Sequence, residues 1–281
     1  MNILLTGRTG QVGWELERRL AALGQVMAPE RATLDLARPE TVADAVRSLR
    51  PEVIVNAGAY TAVDRAESEA SACFKTNAES VAVLAREANR LGALLVHYSS
   101  DYVFDGSKAS PYVESDPTAP INAYGRSKLA GEHEIVRSGC RHLILRTSWV
   151  YAMRGHNFLL TMLRLARERP QLRVVNDQIG SPTWAGDIAA ATLAALDRAE
   201  PVEGLFHTTA RGSTTWFEFA QRILALAGLA TPVIPIRTSE YPTPAARPAY
   251  SVLDSARFQD VTGFRIGPWE DRLRACLADS H

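Results

Sequence analysis

The sequence predicts an α/β protein with a doubly wound parallel sheet and a smaller mixed α/β lobe. Three observations support this prediction. Short apolar runs alternate with helical patterns over residues 1–148, which is typical of βαβ units. A glycine-rich turn follows the first apolar run, as in Rossmann-type dinucleotide sites. Beyond residue 149 the alternation is less regular and prolines cluster between 231 and 248, which favours a second lobe.

The amino end combines a strand, a glycine-rich turn and a helix. Residues 2–6 (NILLT) read as a buried strand, and Trp14, Leu16 and Leu20 then recur with helical spacing. Between them stands a G-x-x-G-x-x-G turn, with glycines at 7, 10 and 13. Such a turn brings backbone close to a pyrophosphate, and the helix N-terminus offers unpaired N–H groups. Gly7, Arg8, Thr9 and Gly10 are therefore candidate cofactor contacts.

The choice between the two nicotinamide cofactors depends on the side chains after the second strand, expected at residues 26–28. An acidic residue here bonds the 2′-hydroxyl of NAD, and an arginine accommodates the 2′-phosphate of NADP. Glu30 favours NAD, whereas Arg31 and Arg8 favour NADP. The sequence favours NADPH and leaves NADH open.

The next elements continue the alternation of strands and helices. Helices are expected at 39–49, 71–91 and 123–136, and strands at 53–56, 94–98 and 142–146. A small-residue turn, 57–61, and Ser100 both follow strands. Ligands of open α/β sheets bind outside the carboxyl ends of the strands. The glycine-rich turn, the turn 57–61 and Ser100 should therefore meet at one crevice.

Tyr124 and Lys128 are candidates for proton transfer. Four residues separate them, so on a helix they share one face. A phenol is a weak acid at neutral pH, and a neighbouring ammonium stabilises its anion and lowers its pKa. The Ser100 hydroxyl could hold a carbonyl oxygen against the Tyr124 proton. The three residues are the predicted catalytic group.

The second half predicts helices at 157–168, 187–197 and 215–226 and strands at 172–175 and 205–209. We expect residues 1–148 to form the dinucleotide-binding domain. Segments near 166–176 and 198–221 are expected to return to that domain. Residues 149–281 are expected to form mainly a substrate-binding lobe that closes over the substrate.

Composition narrows the class of protein. The 281 residues carry 31 basic and 31 acidic side chains, which argues against a nucleic-acid partner. No apolar run approaches the ~20 residues of a membrane span, and no signal-peptide pattern precedes the first strand. The three cysteines and six histidines are scattered along the chain, which predicts no metal site. Scattered cysteines, the lack of an apolar span and the lack of a signal-peptide pattern together favour a cytoplasmic protein.

Several segments resemble the dTDP-4-dehydrorhamnose reductase family of the extended short-chain dehydrogenase/reductase superfamily. They run in order along nearly the whole chain: 6–13 (TGRTGQVG), 56–67 (NAGAYTAVDRAE), 98–106 (YSSDYVFDG), 122–128 (NAYGRSK), 146–151 (RTSWVY), 177–183 (DQIGSPT) and 247–253 (RPAYSVL). The segments 98–106 and 177–183 separate this family from other short-chain enzymes.

The resemblance implies a function and a set of site residues. The family reduces dTDP-6-deoxy-L-lyxo-4-hexulose, a dTDP-ketosugar, to dTDP-L-rhamnose with NADPH or NADH, for polysaccharide biosynthesis. It implies that Tyr124 is the catalytic acid and Lys128 its activator. It places these further residues on the cofactor: Gly10, Gln11, Val12, Asp35, Leu36, Ala59, Tyr60, Thr61 and Tyr98. It places these on the sugar nucleotide: Ser100, Asp101, Tyr102 and Trp149.

Two departures from the family pattern bear on these implications. Ser100 stands where the family often has threonine, and the hydroxyl is kept. Some members hold magnesium at a homodimer interface with a glutamate from the first helix and an acidic residue after the 177–183 segment. Glu15 is present, but residues 184–186 are WAG, so bridging magnesium is not expected; a homodimer stays open.

Two alternative functions remain. One keeps the fold and changes the reaction, to another nucleotide-sugar 4-ketoreductase or an epimerase. The other is a non-catalytic NADP-binding subunit, like the regulatory subunit of methionine adenosyltransferase. The complete set of Ser100, Tyr124 and Lys128 argues against the second alternative, because a scaffold does not need it.

Overall fold

The computed structural model describes residues 1–279. Within them the strands, in chain order, are β1 Asn2–Thr6, β2 Gln25–Met27, β3 Val53–Asn56, β4 Leu94–Ser100, β5 His142–Thr147, β6 Val150–Tyr151, β7 Leu172–Val175, β8 Ile179–Gly180, β9 Thr183–Trp184, β10 Gly204–His207, β11 Thr214–Thr215 and β12 Val233–Ile236. The second strand lies one residue earlier than expected.

The helices alternate with these strands. In chain order they are α1 Gln11–Leu20, α2 Pro39–Leu49, α3 Val63–Ala66, α4 Ala70–Phe74, α5 Ser80–Leu91, α6 Ala123–Ser138, α7 Phe158–Glu168, α8 Ala185–Leu196, α9 Trp216–Leu226, α10 Ala256–Thr262 and α11 Trp269–Ala278. Short 3₁₀ turns cover Asp101–Val103 and Thr238–Glu240. The bounds of α2 are those predicted from its apolar spacing.

One parallel sheet of six strands has the order β10-β5-β4-β3-β1-β2. The chain passes from β1 outward to β2 and then returns to the other side of β1 as β3. This reversal is the topological switch point, where ligands of doubly wound sheets bind. The predicted fold class is confirmed, and the carboxyl ends of β1, β3 and β4 lie together.

Apolar side chains cover both faces of this sheet. On one face α1 and α8 pack over residues such as Leu5, Val55 and Val96. On the other face α2 and α5 pack over Leu4 and Ile54. Because helices bury both faces, the strands are continuous apolar runs without polar alternation.

The helix expected at 71–91 is interrupted. A π-helical turn, Lys75–Glu79, joins α4 to α5, and π-turns of this kind are frequent at functional sites. The turn lies against α6, where a Cβ added to Gly131 would sit 2.3 Å from the carbonyl oxygen of Asn77. The missing side chain of Gly131 therefore lets the two backbones meet.

The second lobe has its own core, formed by α7, α9, α11 and β7 around Leu163, Phe219 and Leu273. The segment near 166–176 was expected to rejoin the large sheet, but β7 pairs instead with β12. From the segment near 198–221, β10 pairs with β5 at the edge of the large sheet. Among residues 1–279, none of the helices has the length and apolar character needed to cross a membrane.

Candidate active site

A cleft of about 960 Å³ opens between the sheet and the second lobe. Seven of the predicted site residues line it: Gln11, Thr61, Ser100, Asp101, Tyr102, Tyr124 and Trp149. These residues come from α1, the segment after β3, the end of β4, α6 and the segment after β5. The cleft therefore lies at the carboxyl ends of the strands, where the sequence places the crevice.

The glycine-rich turn has the close backbone contacts that a dinucleotide cradle requires. Gly7 has φ +71°, and a Cβ there would lie 2.4 Å from the Gly58 nitrogen. A Cβ on Gly13 would lie 2.0 Å from the Gly7 carbonyl oxygen. No side chain caps the start of α1, at Gly10, so its first N–H groups are available to an anion. The turn fits a pyrophosphate.

The residues expected at the adenosine end follow β2. Arg31, whose side chain is 80% exposed, approaches the Asp35 carboxylate at 3.3 Å. Leu36 packs against the backbone of Gly58 beside the glycine-rich turn. Arg8 pairs with Glu17 at 3.2 Å. Both guanidinium groups are paired with carboxylates here, and a 2′-phosphate would have to compete with Asp35 and Glu17 for them.

The segment after β3 is held by the π-turn. The side chain of Asn77 accepts a hydrogen bond from the Tyr60 backbone nitrogen at 2.9 Å and donates one to the Tyr60 carbonyl at 3.0 Å. The same amide donates to the Ser127 hydroxyl on α6 at 3.0 Å. Asn77 therefore fixes the distance between the predicted cofactor segment, Ala59 to Thr61, and the helix that carries Tyr124.

Tyr124 lies in the first turn of α6, where the Asn122 side chain caps the helix by accepting from the Gly125 nitrogen at 2.7 Å. Its phenol is partly buried and lines the cleft. Burial, and then the charge of Asp101, raise the pKa of Tyr124, while a hydrogen bond with Ser100 opposes them. The phenol is therefore protonated at neutral pH, as a proton donor must be.

Lys128 shares a helix face with Tyr124 but has other partners. Its side chain is 2% exposed, and Nζ donates to the Tyr98 carbonyl at 2.6 Å and lies 3.3 Å from His97 Nε2. Burial lowers the pKa of Lys128 to about 8. Asp101 is the largest charge acting on the Tyr124 phenol, and the lowering of the Tyr124 pKa by Lys128 stays a prediction.

Tyr98 does not turn its ring toward the cleft. The Tyr98 hydroxyl shares a 2.7 Å hydrogen bond with Thr192 of α8, inside the apolar core. Only its backbone carbonyl, bound to Lys128, faces the catalytic group. If Tyr98 contributes to cofactor binding, it would therefore do so through its backbone and not through its ring.

Ser100 and Asp101 form one polar unit at the end of β4. The Ser100 hydroxyl donates to the Asp101 carboxylate at 2.9 Å and accepts from the Tyr102 nitrogen at 3.1 Å. Burial raises the pKa of Asp101 to about 6. Tyr102 lies edge-on to Tyr124, with ring centroids 5.8 Å apart. The three predicted substrate residues of β4 and its 3₁₀ turn thus surround the Tyr124 phenol.

Trp149 has a strained backbone and a stacked ring. Its φ is +46°, which costs free energy for a bulky residue and is common at functional sites. Its ring lies parallel to Trp216 with centroids 3.4 Å apart. A Cβ on Gly180 would come within 2.3 Å of the Trp149 ring. Trp149 is therefore fixed at the cleft wall with its plane set by Trp216.

Sequence reasoning assigned no role to several residues of the cleft. Trp216 belongs to α9, far along the chain from its stacking partner, and no spacing connects them. Arg247 makes a two-armed ion pair with Asp64, with N···O distances of 2.7 and 2.8 Å, and both line the cleft. Arg247 begins one segment quoted for the family resemblance and Asp64 lies in another, and these were the available signals.

A metal centre is not formed by the described part of the chain, where no three His, Cys, Asp or Glu side chains come together to hold an ion. Glu15, the candidate magnesium ligand, is 4% exposed and lies 3.8 Å from Arg19. Burial raises the pKa of Glu15. Its carboxylate is thus engaged within its own helix.

Comparison with known proteins matches the whole chain. The family model described as RmlD substrate binding domain covers residues 1–281. A dTDP-4-dehydrorhamnose reductase of Burkholderia thailandensis is 50% identical over 99% of both chains. One of Escherichia coli strain K12 is 47% identical over 99% of this chain and 97% of its own.

A solved structure shares the fold closely. The crystal structure of dTDP-4-dehydrorhamnose reductase from Bacillus anthracis in complex with NADP superposes with a TM-score of 0.94, at 35% identity, over 99% of each chain.

Proposed function

The chain belongs to the dTDP-4-dehydrorhamnose reductase family, and on that premise we propose that it reduces the C4 ketone of dTDP-6-deoxy-L-lyxo-4-hexulose to dTDP-L-rhamnose. The protein is an oxidoreductase of dTDP-rhamnose biosynthesis. One structural observation supports this most strongly. Ser100, Tyr124 and Trp149 line the same cleft as Gln11 of the glycine-rich turn, so a sugar and a dinucleotide can meet there.

NADPH is the cofactor that we propose first, because the Bacillus anthracis relative was solved in complex with NADP. The glycine-rich turn and the start of α1 would hold its diphosphate, and Arg8 and Arg31 would face the 2′-phosphate. When bound, the reduced nicotinamide supplies the hydride that adds to C4 of the sugar. NADH stays a second candidate, because Glu30 and Asp35 also follow β2.

Tyr124 gives the proton that the ketone oxygen needs as it becomes a hydroxyl. The phenol is protonated at neutral pH because an ordinary tyrosine pKa is about 10 and burial raises it further. General acid catalysis contributes about 10²–10⁴-fold. The Ser100 hydroxyl donates its one proton to Asp101 in the unliganded protein, and it would turn from Asp101 to donate to the same ketone oxygen. Hydrogen-bond donors placed in advance around a developing charge stabilise the transition state.

The sugar nucleotide would occupy the remaining length of the cleft. Asp101 and Tyr102 would bond sugar hydroxyls beside Tyr124, and the Trp149 ring would pack against the base or the sugar. Arg169, Arg173 and Arg247 also line this cleft, and guanidinium groups pair well with diphosphate oxygens. Arg173 is paired with Glu240 and Arg247 with Asp64, so a nucleotide diphosphate would take the place of these carboxylates.

Following absorbance at 340 nm in the presence of the dTDP-ketosugar tests the function. NADPH and NADH are supplied in parallel, with and without EDTA. We expect stoichiometric oxidation of NADPH that EDTA does not change. Tight NADP binding without turnover would favour the non-catalytic subunit. Sugar conversion without net NADPH consumption would favour an epimerase.

Three further expectations belong to the same proposal. We propose that the enzyme works in the cytoplasm, that residues 1–148 form its dinucleotide-binding domain, and that two copies pair as a homodimer. Sedimentation with and without magnesium tests the last point, since a dimer that persists in EDTA does not depend on a bridging ion.

A further inference from the structure

Thr6, Asn56 and His97 form a row of polar side chains across β1, β3 and β4. Thr6 is in register with Asn56, and Asn56 with His97, so the three lie side by side on one face of the sheet. Each is at most 3% exposed. Buried polar groups are costly unless all their hydrogen bonds are made. We call this row the ladder.

Hydrogen-bond lengths assign the donors along the ladder. Thr6 Oγ1 lies 2.6 Å from Asn56 Oδ1, a length typical of an O–H donor and short for N–H. The same Thr6 oxygen accepts from the Gly58 nitrogen at 3.3 Å. With its oxygen used by Thr6, Asn56 presents Nδ2 to His97 Nδ1 at 3.0 Å. Asn56 therefore donates to His97.

This assignment fixes the tautomer of His97. A neutral imidazole that accepts at Nδ1 carries its proton on Nε2. Burial and the neighbouring Lys128 hold the pKa of His97 well below its usual range, so the ring stays neutral. Nε2 lies 3.3 Å from Lys128 Nζ. An Nε2–H donates to that nitrogen only when Lys128 is an uncharged amine with a free lone pair.

A charged Lys128 requires the opposite arrangement. An ammonium has no lone pair, so Nε2 must accept and the imidazole proton must move to Nδ1. Asn56 must then turn its amide so that Oδ1 accepts from Nδ1–H, and Thr6 must turn its hydroxyl away. The pKa of Lys128, lowered by burial to about 8, places this change close to neutral pH.

The other titratable groups that act on Lys128 are Glu132 on α6 and Cys73 on α4. Glu132 is held by Arg146 through two hydrogen bonds of 2.9 and 2.6 Å. Burial raises the pKa of the Cys73 thiol, so it is neutral. Among the described residues, His97 is the titratable side chain whose hydrogen bond to Lys128 must change with the charge of Lys128.

We propose that His97, held by Asn56 and Thr6, is a positioning residue for Lys128 that fixes the amine and changes tautomer when Lys128 gains or loses its proton. The catalytic part of the proposal rests on the proposed reductase function. The coupling between the two side chains does not, and it is measured on the protein without substrate.

Long-range ¹H–¹⁵N NMR of the imidazole nitrogens tests the coupling from about pH 6 to about pH 10, across the titration range of a buried lysine. The His97 signals are assigned by their loss in His97→Gln. We expect the Nε2–H tautomer at the alkaline end, a change to Nδ1–H as Lys128 becomes charged, and no imidazolium pattern.

In Lys128→Met the His97 tautomer should stay fixed over the whole range. A wild-type His97 that keeps one tautomer throughout, or that titrates identically in Lys128→Met, would overturn the proposal whether or not the protein reduces the ketosugar.

A double-mutant cycle tests the positioning role in catalysis. His97→Gln should lower kcat about 10²-fold, the loss expected when a catalytic group is misplaced by about 1 Å, with the Kd for NADPH within about twofold. His133→Gln, the same change at an exposed site of α6, should match the wild type.

In the Lys128→Met background His97→Gln should cost less than about twofold, because residues that act as one unit are not additive. Equal losses in both backgrounds would mean a general structural role and would overturn the proposal. Absence of turnover in the wild type would instead refute the proposed function and leave the NMR result standing.

Discussion

Tyr124 and Lys128 lie one turn apart on the same helix face, yet their surroundings differ sharply. Tyr124 lines an open cleft with Ser100 and Asp101, and we call this group the cleft side. Lys128 is sealed against β4 and bonded to His97 and the Tyr98 carbonyl. Helical spacing thus predicts a shared face, but the strands beneath decide what chemistry each residue can perform.

The difference shows that one motif can combine a residue that is open to a ligand with a residue that bonds only to other protein groups. On the cleft side hydrogen bonds can be exchanged with a ligand, because the groups border solvent. In the ladder the three side chains are buried, so a change in the hydrogen bonding of one side chain requires a change in that of its neighbours. Three substitutions test this division.

The largest effect is expected on the cleft side. Tyr124→Phe removes the proton donor and keeps the ring that packs on Tyr102, so kcat should fall by about 10²–10⁴-fold. The Kd for NADPH should hardly change. Stopped-flow oxidation of NADPH and fluorescence titration measure the two quantities.

Tyr151→Phe is the matched control, since its hydroxyl is buried without a partner in residues 1–279. Wild-type turnover in Tyr124→Phe would show that Tyr124 is not the proton donor. The contrast between the cleft side and the ladder would then not hold.

Asp101→Asn should stabilise the protein while impairing catalysis. The folded pKa of about 6 exceeds the value of about 3.9 in an unfolded chain. Stability is therefore lost as pH rises from about 3.9 to about 6, and the full penalty of up to about 3 kcal/mol remains at pH 7. Asparagine cannot ionise and still accepts from Ser100.

Urea unfolding at about pH 7 and about pH 3 measures this gain, which should vanish at the lower pH because aspartate is then protonated in both states. The exposed Asp260→Asn serves as control. An equal gain at both pH values would mean that Asp101 acts through packing and not through its charge.

The smallest effect is expected at the far end of the ladder. Thr6→Val keeps the shape but leaves Asn56 Oδ1 and the Gly58 nitrogen unpaired, at a cost of about 1–3 kcal/mol in the free energy of unfolding. Thr6→Ser keeps the hydroxyl and should keep most of the free energy of unfolding that Thr6→Val loses. A Thr6→Val protein as stable as the wild type would show that the ladder is not closed to water.

Elements with local signals were predictable from the sequence. The glycine-rich turn, the bounds of α2 and the cleft positions of Ser100 and Tyr124 follow from spacing and from the rule that parallel strands end at one edge. The family resemblance alone implied the position of Trp149. Local periodicity needs no knowledge of distant neighbours, and this is why these predictions agree with the structure.

Features that depend on contacts between distant segments were missed. Trp216 meets Trp149 only through folding of the second lobe, and β7 pairs with a strand in a proline-rich stretch. The ladder was hidden because Thr6, Asn56 and His97 each end or interrupt an apolar run, and only the strand register brings them together.

The π-turn at Lys75–Glu79 makes the number of residues in that stretch matter as much as the identity of Asn77. Each residue of an α-helix advances the chain by about 100°. Removing one would allow a regular helix but would rotate α4 against α5 by that angle and carry the Asn77 amide away from Tyr60 and Ser127. Substitutions at positions of the turn other than Asn77 should therefore be tolerated better than insertions or deletions, which would disconnect the cofactor segment from the catalytic helix.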